Sequence, residues 1–172
     1  MTIVICDSSF LVLISKIELL DLLIEIFENI IIPQSVYIES VDQGKKLRKM
    51  DAFLIEKRIN DKKILVEEIK DLTEKANLIR NFNLHEGESE ALILYLEKKA
   101  ELLGTDDYKT LKVCKILNIK YFTTPLFILL CYSKNKLSKN MSIAKYEELQ
   151  EFGWYKEDLI LEFKNRIENL KV

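Results

Sequence analysis

The chain contains 172 residues, of which 48 % are hydrophobic and 31 % are charged, and its formal net charge at pH 7 is −2. This length suits one domain with a buried core, and the balance of residues is typical of a soluble globular protein. Charged residues interrupt every apolar stretch before it reaches the roughly 18–20 residues of a membrane span. The opening MTIVICDSS lacks the features of a secretion signal. We therefore expect a cytoplasmic protein with no membrane segment.

The first half of the chain predicts strands that alternate with helices. The apolar spacing predicts, in chain order, a strand at 2–6, a helix at 9–27, a strand at 29–32, a helix from Pro33 to near Gly44, a charged amphipathic helix at 45–60 and a strand at 63–69.

The second half continues the alternation and then becomes helical. We predict a polar helix at 71–82, an apolar helix after Gly87, strands at 101–104 and 119–123 around a helix at 107–117, and only helices from Leu126 onward. Alternating strands and helices indicate an α/β fold with a mainly parallel sheet. We expect a single domain over residues 1–172, with an α/β core over about 1–137 and a C-terminal helical extension over about 138–172.

Few residue types are available for chemistry. The three cysteines are far apart and form no CxxC pair, which argues against a disulfide framework and against a zinc site. His85 is the one histidine, so histidine-based catalysis or metal binding is a poor fit. Any reaction must therefore depend on carboxylates, hydroxyls and lysines.

Acidic residues lie at the ends of predicted strands and in the helices that follow. Asp7 ends the first strand, and Asp106 and Asp107 follow a later one. In parallel sheets these strand ends share one edge, which is where ligands bind. Glu39 and Glu90 lie in early turns of helices, so acids from four segments can converge at this edge.

Converging carboxylates repel one another unless a cation neutralises them. Mg²⁺ or Mn²⁺ fits best, because both prefer oxygen ligands and are often held by a few carboxylates and water. An ion held in this way activates water and stabilises the charge that develops on a phosphodiester.

Each acid also has a purely structural explanation. Asp7 and one residue of the Asp106–Asp107 pair are well placed to cap helices, whereas Glu39 would be a solvated helix residue. Glu88 and Glu90 suit the first turn of a helix, where acids complement the helix dipole. These two residues point roughly 200° apart on a helix. Glu90 begins the apolar EALILYL segment and is the favoured inward-facing acid, while Glu88 is left to support or cap.

Several segments, taken in order, resemble the PIN-domain family. CDSSFLVLISKIELLDLL is similar to its opening strand, aspartate, hydroxyl pair and helix, and IIIPQSVYIESV is similar to its second motif. LHEGESEALILYLEKKAELLGTDDYKTLKVCKILNIKYFTT is similar to the remainder, in which a GExEA motif opens a helix and T-D-D follows a strand. The similarity covers about residues 2–155 and is closest to a branch with a C-terminal EEL-x-x-x-G helix, here 147–153.

The resemblance implies a three-layer α/β/α sandwich with a mainly parallel sheet and extra C-terminal helices. PIN domains are typically Mg²⁺- or Mn²⁺-dependent ribonucleases, and many are VapC-type toxins of type II toxin–antitoxin pairs. Such toxins are commonly homodimers whose acidic site is blocked by an antitoxin. The leading prediction is therefore a metal-dependent endoribonuclease that hydrolyses RNA phosphodiester bonds. The alternative is a catalytically silent PIN-fold module that binds RNA or protein.

The resemblance also implies roles for individual residues. The catalytic acids would be Asp7, Glu39, Glu90 and Asp107. The metal ligands would be Asp7, Glu90, Asp106 and Asp107. The supporting residues would be Ser8, Ser9, Glu88 and Thr105. The third acid is a glutamate where better-studied toxins carry aspartate, so Glu88 and Glu90 both remain candidates, as do Asp106 and Asp107 for the last.

Basic and aromatic residues offer candidate contacts with RNA. The densest basic stretch is GKKLRKM, which would attract the phosphate backbone or simply form a solvated helix face. Its candidate RNA-binding residues are Lys45, Lys46, Arg48 and Lys49. The aromatic candidates for stacking on bases, or for completing the core, are Tyr37, Tyr108 and Trp154.

Overall fold

The structure is a computed structural model, and it describes residues 2–152 and 155–170. Within these ranges five strands form one sheet, in the order β3-β2-β1-β4-β5. The strands are β1 Ile3–Cys6, β2 Asn29–Pro33, β3 Ile64–Glu67, β4 Leu102–Gly104 and β5 Tyr121–Phe122. Every neighbouring pair is parallel, and the central strand β1 pairs with both β2 and β4. The predicted α/β class with a parallel sheet is confirmed.

Helices connect the strands and then complete the chain. They are α1 Ser8–Lys16, α2 Leu20–Ile26, α3 Gln34–Tyr37, α4 Gly44–Lys46, α5 Met50–Asn60, α6 Leu72–Phe82, α7 Glu86–Lys98, α8 Tyr108–Ile116, α9 Thr124–Ser133, α10 Lys139–Glu151 and α11 Glu157–Asn169. A π-helical segment, Ile38–Gln43, joins α3 to α4. None of the helices in the described ranges combines the length and apolarity that a membrane crossing requires.

Helices cover both faces of the sheet. Side chains alternate along each strand, so successive residues contact the layers on opposite faces. On one face Ile5 of β1 and Leu103 of β4 belong to a buried cluster with Leu92 of α7. On the other face Phe10 of α1 packs edge-on against Phe122 of β5, with ring centroids 4.7 Å apart. The strands therefore form the middle layer of the α/β/α arrangement.

The single helix predicted for 9–27 is wrong, because the chain forms α1 and α2 with a break between them. Glu18 has a φ of 58°, and the N–H groups of Glu18 and Leu19 donate to carbonyls in the last turn of α1. Such a left-handed residue ends a helix and satisfies its last carbonyls. Leu19 and Leu20 are both buried, so the apolar periodicity continues across the break.

The helix predicted for 45–60 is also divided. Arg48 has a φ of 54°, and the Lys49 N–H donates to the Gly44 carbonyl, so the basic stretch forms a turn before α5. A Cβ on Gly44 would lie 2.6 Å from the Ala52 side chain. Glycine at this position therefore allows α5 to pack closely against the segment that precedes the turn.

The chain divides into two compact units, Met1–Phe122 and Thr123–Val172. The first unit contains the whole sheet. The second contains α9, α10 and α11, where buried Tyr146 donates a hydrogen bond to the Pro125 carbonyl at 2.9 Å. The first unit ends before the limit of the α/β core that was predicted near residue 137. Trp154, and the glycine that ends the predicted EEL-x-x-x-G segment, lie outside the described residues.

Candidate active site

Asp7 lies where β1 ends and α1 begins. Its backbone N–H donates to the Gly104 carbonyl at 3.0 Å, which joins this junction to the end of β4. Its carboxylate caps α1 by accepting from the Phe10 N–H at 2.9 Å. It also accepts from the Ser9 hydroxyl at 2.6 Å and from the Thr105 hydroxyl. The predicted capping role is therefore confirmed, and the carboxylate is fully buried.

The burial of Asp7 controls its ionisation. Desolvation raises the pKa of this carboxyl group from 3.8 to about 7, although the hydrogen bonds from Phe10, Ser9 and Thr105 oppose the shift. The nearby charge of Asp106 raises the pKa further. A buried carboxyl group of this kind is incompletely ionised at neutral pH, and a bound cation would favour its charged form.

Two hydroxyl groups connect Asp7 to the loop that follows β4. The Ser9 hydroxyl accepts from the Asp106 N–H at 2.9 Å, and the Thr105 hydroxyl accepts from the Asp107 N–H at 3.2 Å. Ser9 and Thr105 therefore hold the ends of β1 and β4 together. The structure brings four of the residues predicted for the site into one network around Asp7.

Asp107 and Glu88 both cap helices near this network. Asp107 accepts from the Thr110 N–H at 2.7 Å at the start of α8. Glu88 accepts from the His85 N–H at 2.8 Å and closes a capping box on α7, which is one of the two roles that the sequence left open for it. Burial raises the pKa of Glu88, the His85 hydrogen bond lowers it, and the charge of Asp107 raises it again. Glu88 is therefore within electrostatic reach of Asp107.

Glu39 lies in the π-helical segment and reaches the start of α7. Its carboxylate accepts from the Ser8 hydroxyl at 2.5 Å and from the Gly87 N–H at 3.3 Å. A Cβ on Gly87 would lie 2.6 Å from the Glu39 Oε2 atom, so the glycine of the GESEA segment makes room for this carboxylate. Ser8 and Gly87 together position Glu39.

Replacing Gly87 by alanine is therefore expected to displace Glu39 with little effect on stability, because the obstructing atoms end a flexible side chain. Alanine also favours the helix by up to about 1 kcal/mol. Steady-state RNA cleavage should fall by about tenfold or more. The double variant Gly87→Ala/Glu39→Ala should cleave no more slowly than Glu39→Ala. Independent, additive losses would contradict the displacement of Glu39.

Glu90 is buried, as predicted, but it is engaged by different residues. Lys75 of α6 donates to Glu90 Oε1 at 2.6 Å, and the Ser35 N–H donates to Oε2 at 3.1 Å. Burial would raise the pKa of Glu90, but these hydrogen bonds outweigh it, and the pKa lies below its usual value. Lys75 was not predictable as the partner of Glu90, because the sequence of its helix is polar and typical of a solvated surface.

No set of three or more His, Cys, Asp or Glu residues among the described residues is arranged to hold a metal ion. Asp7 and Glu39 accept hydrogen bonds from hydroxyl and backbone groups, and Glu90 accepts them from Lys75 and a backbone N–H. The chemistry of the donors nevertheless fits Mg²⁺ or Mn²⁺, since Asp7 offers hard carboxylate oxygens, is incompletely ionised, and has the charge of Asp106 nearby. A divalent ion would have to displace some of these hydrogen bonds.

The candidate RNA contacts are exposed to different degrees. Lys46 at the end of α4 is exposed, as are Arg48 and Lys49 before α5, whereas Lys45 pairs with Glu56 at 2.5 Å. Tyr108, which directly follows Asp107, is 70 % exposed, and Tyr37 is half-buried.

A parallel sheet with carboxylates at the ends of β1 and β4 defines a class of α/β proteins with an acidic site at the sheet edge. Within that class, the chain belongs to the PIN-domain family, since a family model described as DUF3368: PIN domain matches residues 3–168. PIN domains are generally nucleases and typically use divalent metals. Family membership therefore gives this chain a nuclease-type fold.

The structure is similar to the crystal structure of PAE2754 from Pyrobaculum aerophilum, with 16 % sequence identity and a TM-score of 0.49. The match covers 64 % of this chain and 85 % of that one. No curated protein matches the sequence.

Proposed function

We propose that this protein is a metal-dependent endoribonuclease that hydrolyses RNA phosphodiester bonds at the Asp7 edge of the sheet. The observation that carries the proposal is the fully buried Asp7 carboxyl group, whose pKa is about 7 and whose neighbour is Asp106. Strongly perturbed acids of this kind concentrate at functional sites. Membership of a family of nucleases supports the same function.

Asp7, with Asp106 and Asp107, would hold the Mg²⁺ or Mn²⁺ ion. When bound, the ion would supply water activation and stabilise the charge that develops on the phosphate. Ser9 and Thr105 orient Asp7 through their hydrogen bonds. Glu39, held by Ser8 and Gly87, is available to accept a hydrogen bond from water. The basic turn with Lys46, Arg48 and Lys49 is proposed to attract the RNA backbone.

The finer proposal is a VapC-like toxin of a type II toxin–antitoxin pair, acting in the cytoplasm as a homodimer. Its support is the GESEA segment together with PIN-family membership. Induction of the chain should arrest cell growth, while the Asp7→Asn variant should not. A catalytically silent binding module is the second candidate, and the hydrogen bonds that already engage Asp7 and Glu90 favour it.

The deciding experiment is cleavage of an end-labelled RNA with Mn²⁺, with Mg²⁺ or with chelator. The wild-type protein should cleave only with metal, and Asp7→Asn should not cleave. Asp71→Asn is the matched control, because Asp71 also caps a helix by accepting from a backbone N–H, at 2.9 Å, but lies on the exposed start of α6. Equal cleavage by wild type and Asp7→Asn would overturn the proposed mechanism.

Tyr108 is expected to stack on a base of the substrate. Lys112 Nζ lies 4.4 Å from the ring centroid, so a phosphate and a base can bind side by side. Replacing Tyr108 by alanine should raise KM for single-stranded RNA at least about fivefold. One stacked base contributes roughly 1–3 kcal/mol, and the low end of this range corresponds to about a fivefold change. The kcat should not change, and Tyr108→Phe should behave as wild type. An unchanged KM in Tyr108→Ala would contradict the stacking role.

A further inference from the structure

Lys75 supplies a positive charge to Glu90 from within the fold. Its Nζ atom lies 2.6 Å from Glu90 Oε1 and 3.6 Å from Glu86 Oε2. The side chains of Lys75 and Glu90 are only 17 % and 11 % exposed. Charges this enclosed are stable only when they are paired, so each group depends on the other.

Both oxygens of Glu90 are occupied by protein groups. Oε1 accepts from Lys75, and Oε2 accepts from the Ser35 N–H at 3.1 Å. Ser35 lies in α3, directly after β2, and Lys75 lies in α6, so two separate elements fix this carboxylate. A metal ion would need the lone pairs that these donors already use.

The carboxylates around Asp7 have a different environment. The hydrogen bonds that Asp7 accepts come from the hydroxyls of Ser9 and Thr105 and from a backbone N–H. Asp107 accepts from the backbone N–H of Thr110 at 2.7 Å. These donors are neutral, so they leave the negative charges to be balanced by a cation, whereas Lys75 already balances Glu90.

We propose that Lys75 is the built-in counter-ion of Glu90 and keeps this glutamate out of the metal site. The inference rests on the metal-dependent function proposed above, and it excludes Glu90 from the ligands of that site. Asp7, with Asp106 and Asp107, holds the divalent ion as proposed above, while Glu90 binds Lys75. The ammonium group also repels a divalent ion at this position.

Manganese binding measured by calorimetry tests this division without relying on activity. Asp107→Asn should weaken the Mn²⁺ Kd at least tenfold, as should Asp7→Asn, whereas Glu90→Gln should change it less than threefold. Lys75→Met should free Glu90 and either tighten Mn²⁺ binding at least tenfold or add a second ion. Lys98→Met is the matched control, because Lys98 pairs with Glu67 on the edge strand β3 and should behave as wild type.

Lys75→Met leaves a buried carboxylate unpaired and is the variant at greatest risk of misfolding. The double variant Lys75→Met/Glu90→Gln removes both charges and should bind one Mn²⁺ with the wild-type Kd. A tenfold loss in the double variant would overturn the inference. So would an effect of Glu90→Gln as large as that of Asp7→Asn.

The failure of this inference can be told apart from the failure of the proposed function. If wild type binds Mn²⁺, Asp7→Asn abolishes this binding and Lys75→Met leaves it unchanged, then only the role of Lys75 is overturned. Absence of Mn²⁺ binding in every variant overturns both proposals. Binding that appears only in Lys75→Met supports the inference, because the lysine then occupies the position of the cation, and overturns a metal-dependent function for the wild-type chain.

Discussion

Asp7→Asn is expected to slow RNA cleavage at least about a hundredfold and to stabilise the metal-free protein at pH 8. Asparagine has the same shape and keeps an oxygen that accepts from the Phe10 N–H and the Ser9 hydroxyl. Its amide group can donate to the Thr105 hydroxyl, so the helix cap and the link to β4 survive. The negative charge is lost, and a hundredfold decrease in rate corresponds to about 2.7 kcal/mol of lost transition-state stabilisation.

The stability effect follows from the direction of the pKa shift. The pKa of Asp7 is about 7 in the folded protein, above its ordinary value of 3.8, so the folded state holds this proton more tightly. The free energy of unfolding therefore falls as pH rises from about 4 to 7, by up to about 4 kcal/mol. Because asparagine does not ionise, the free energy of unfolding of the variant does not fall with pH for this reason.

Urea unfolding at pH 5 and at pH 8, in chelator, measures the effect. Wild type should lose stability between these pH values, and Asp7→Asn should lose less. Saturating Mg²⁺ should stabilise wild type at pH 8 and leave Asp7→Asn unchanged, because ligand binding favours the folded state. Asp71→Asn should follow wild type in both buffers. An Asp7→Asn variant less stable than wild type at pH 8 without metal would contradict this account.

The arrangement of strands was predictable because it depends on local patterns. Short β-branched runs separated by helical periodicity fix the parallel sheet, and the strand-end rule places Asp7 beside the Asp106–Asp107 pair. The two helix breaks were not predictable in this way. Glu18 and Arg48 adopt left-handed conformations at positions where neither residue type marks a turn.

The finer structure of the site depends on packing between distant segments. The pairing of Lys75 with Glu90 requires α6 to lie against α7, and no pattern within either helix encodes that contact. The contact between Gly87 and Glu39 was also not predictable. The GESEA segment marks a helix start, but it does not show that the Glu39 carboxylate fills the space beside the glycine. Helix periodicity correctly predicted that Glu90 is buried, yet it could not identify the cation beside it.

Gly104→Ala is expected to lower the free energy of unfolding by about 1–3 kcal/mol, which is typical of overpacking a buried site. A Cβ at this position would lie 2.7 Å from Phe10 Cδ1. Phe10 is fully buried, and its ring packs against Phe122, so it has little freedom to move away. RNA cleavage should also fall, because the Gly104 carbonyl accepts from the Asp7 N–H and Thr105 follows directly.

A smaller side chain at position 10 provides the control for this clash. Phe10→Leu should destabilise the protein by itself, since it removes aromatic contacts from the core. In the double variant Phe10→Leu/Gly104→Ala, leucine leaves room for the new methyl group, and the loss of stability should be smaller than the sum of the two single losses. Urea unfolding of the four proteins gives this coupling energy. Strictly additive losses would mean that the destabilisation by Gly104→Ala arises in the strand backbone. The decrease in RNA cleavage would then reflect a shift of β4 relative to β1 and not a steric clash with Phe10.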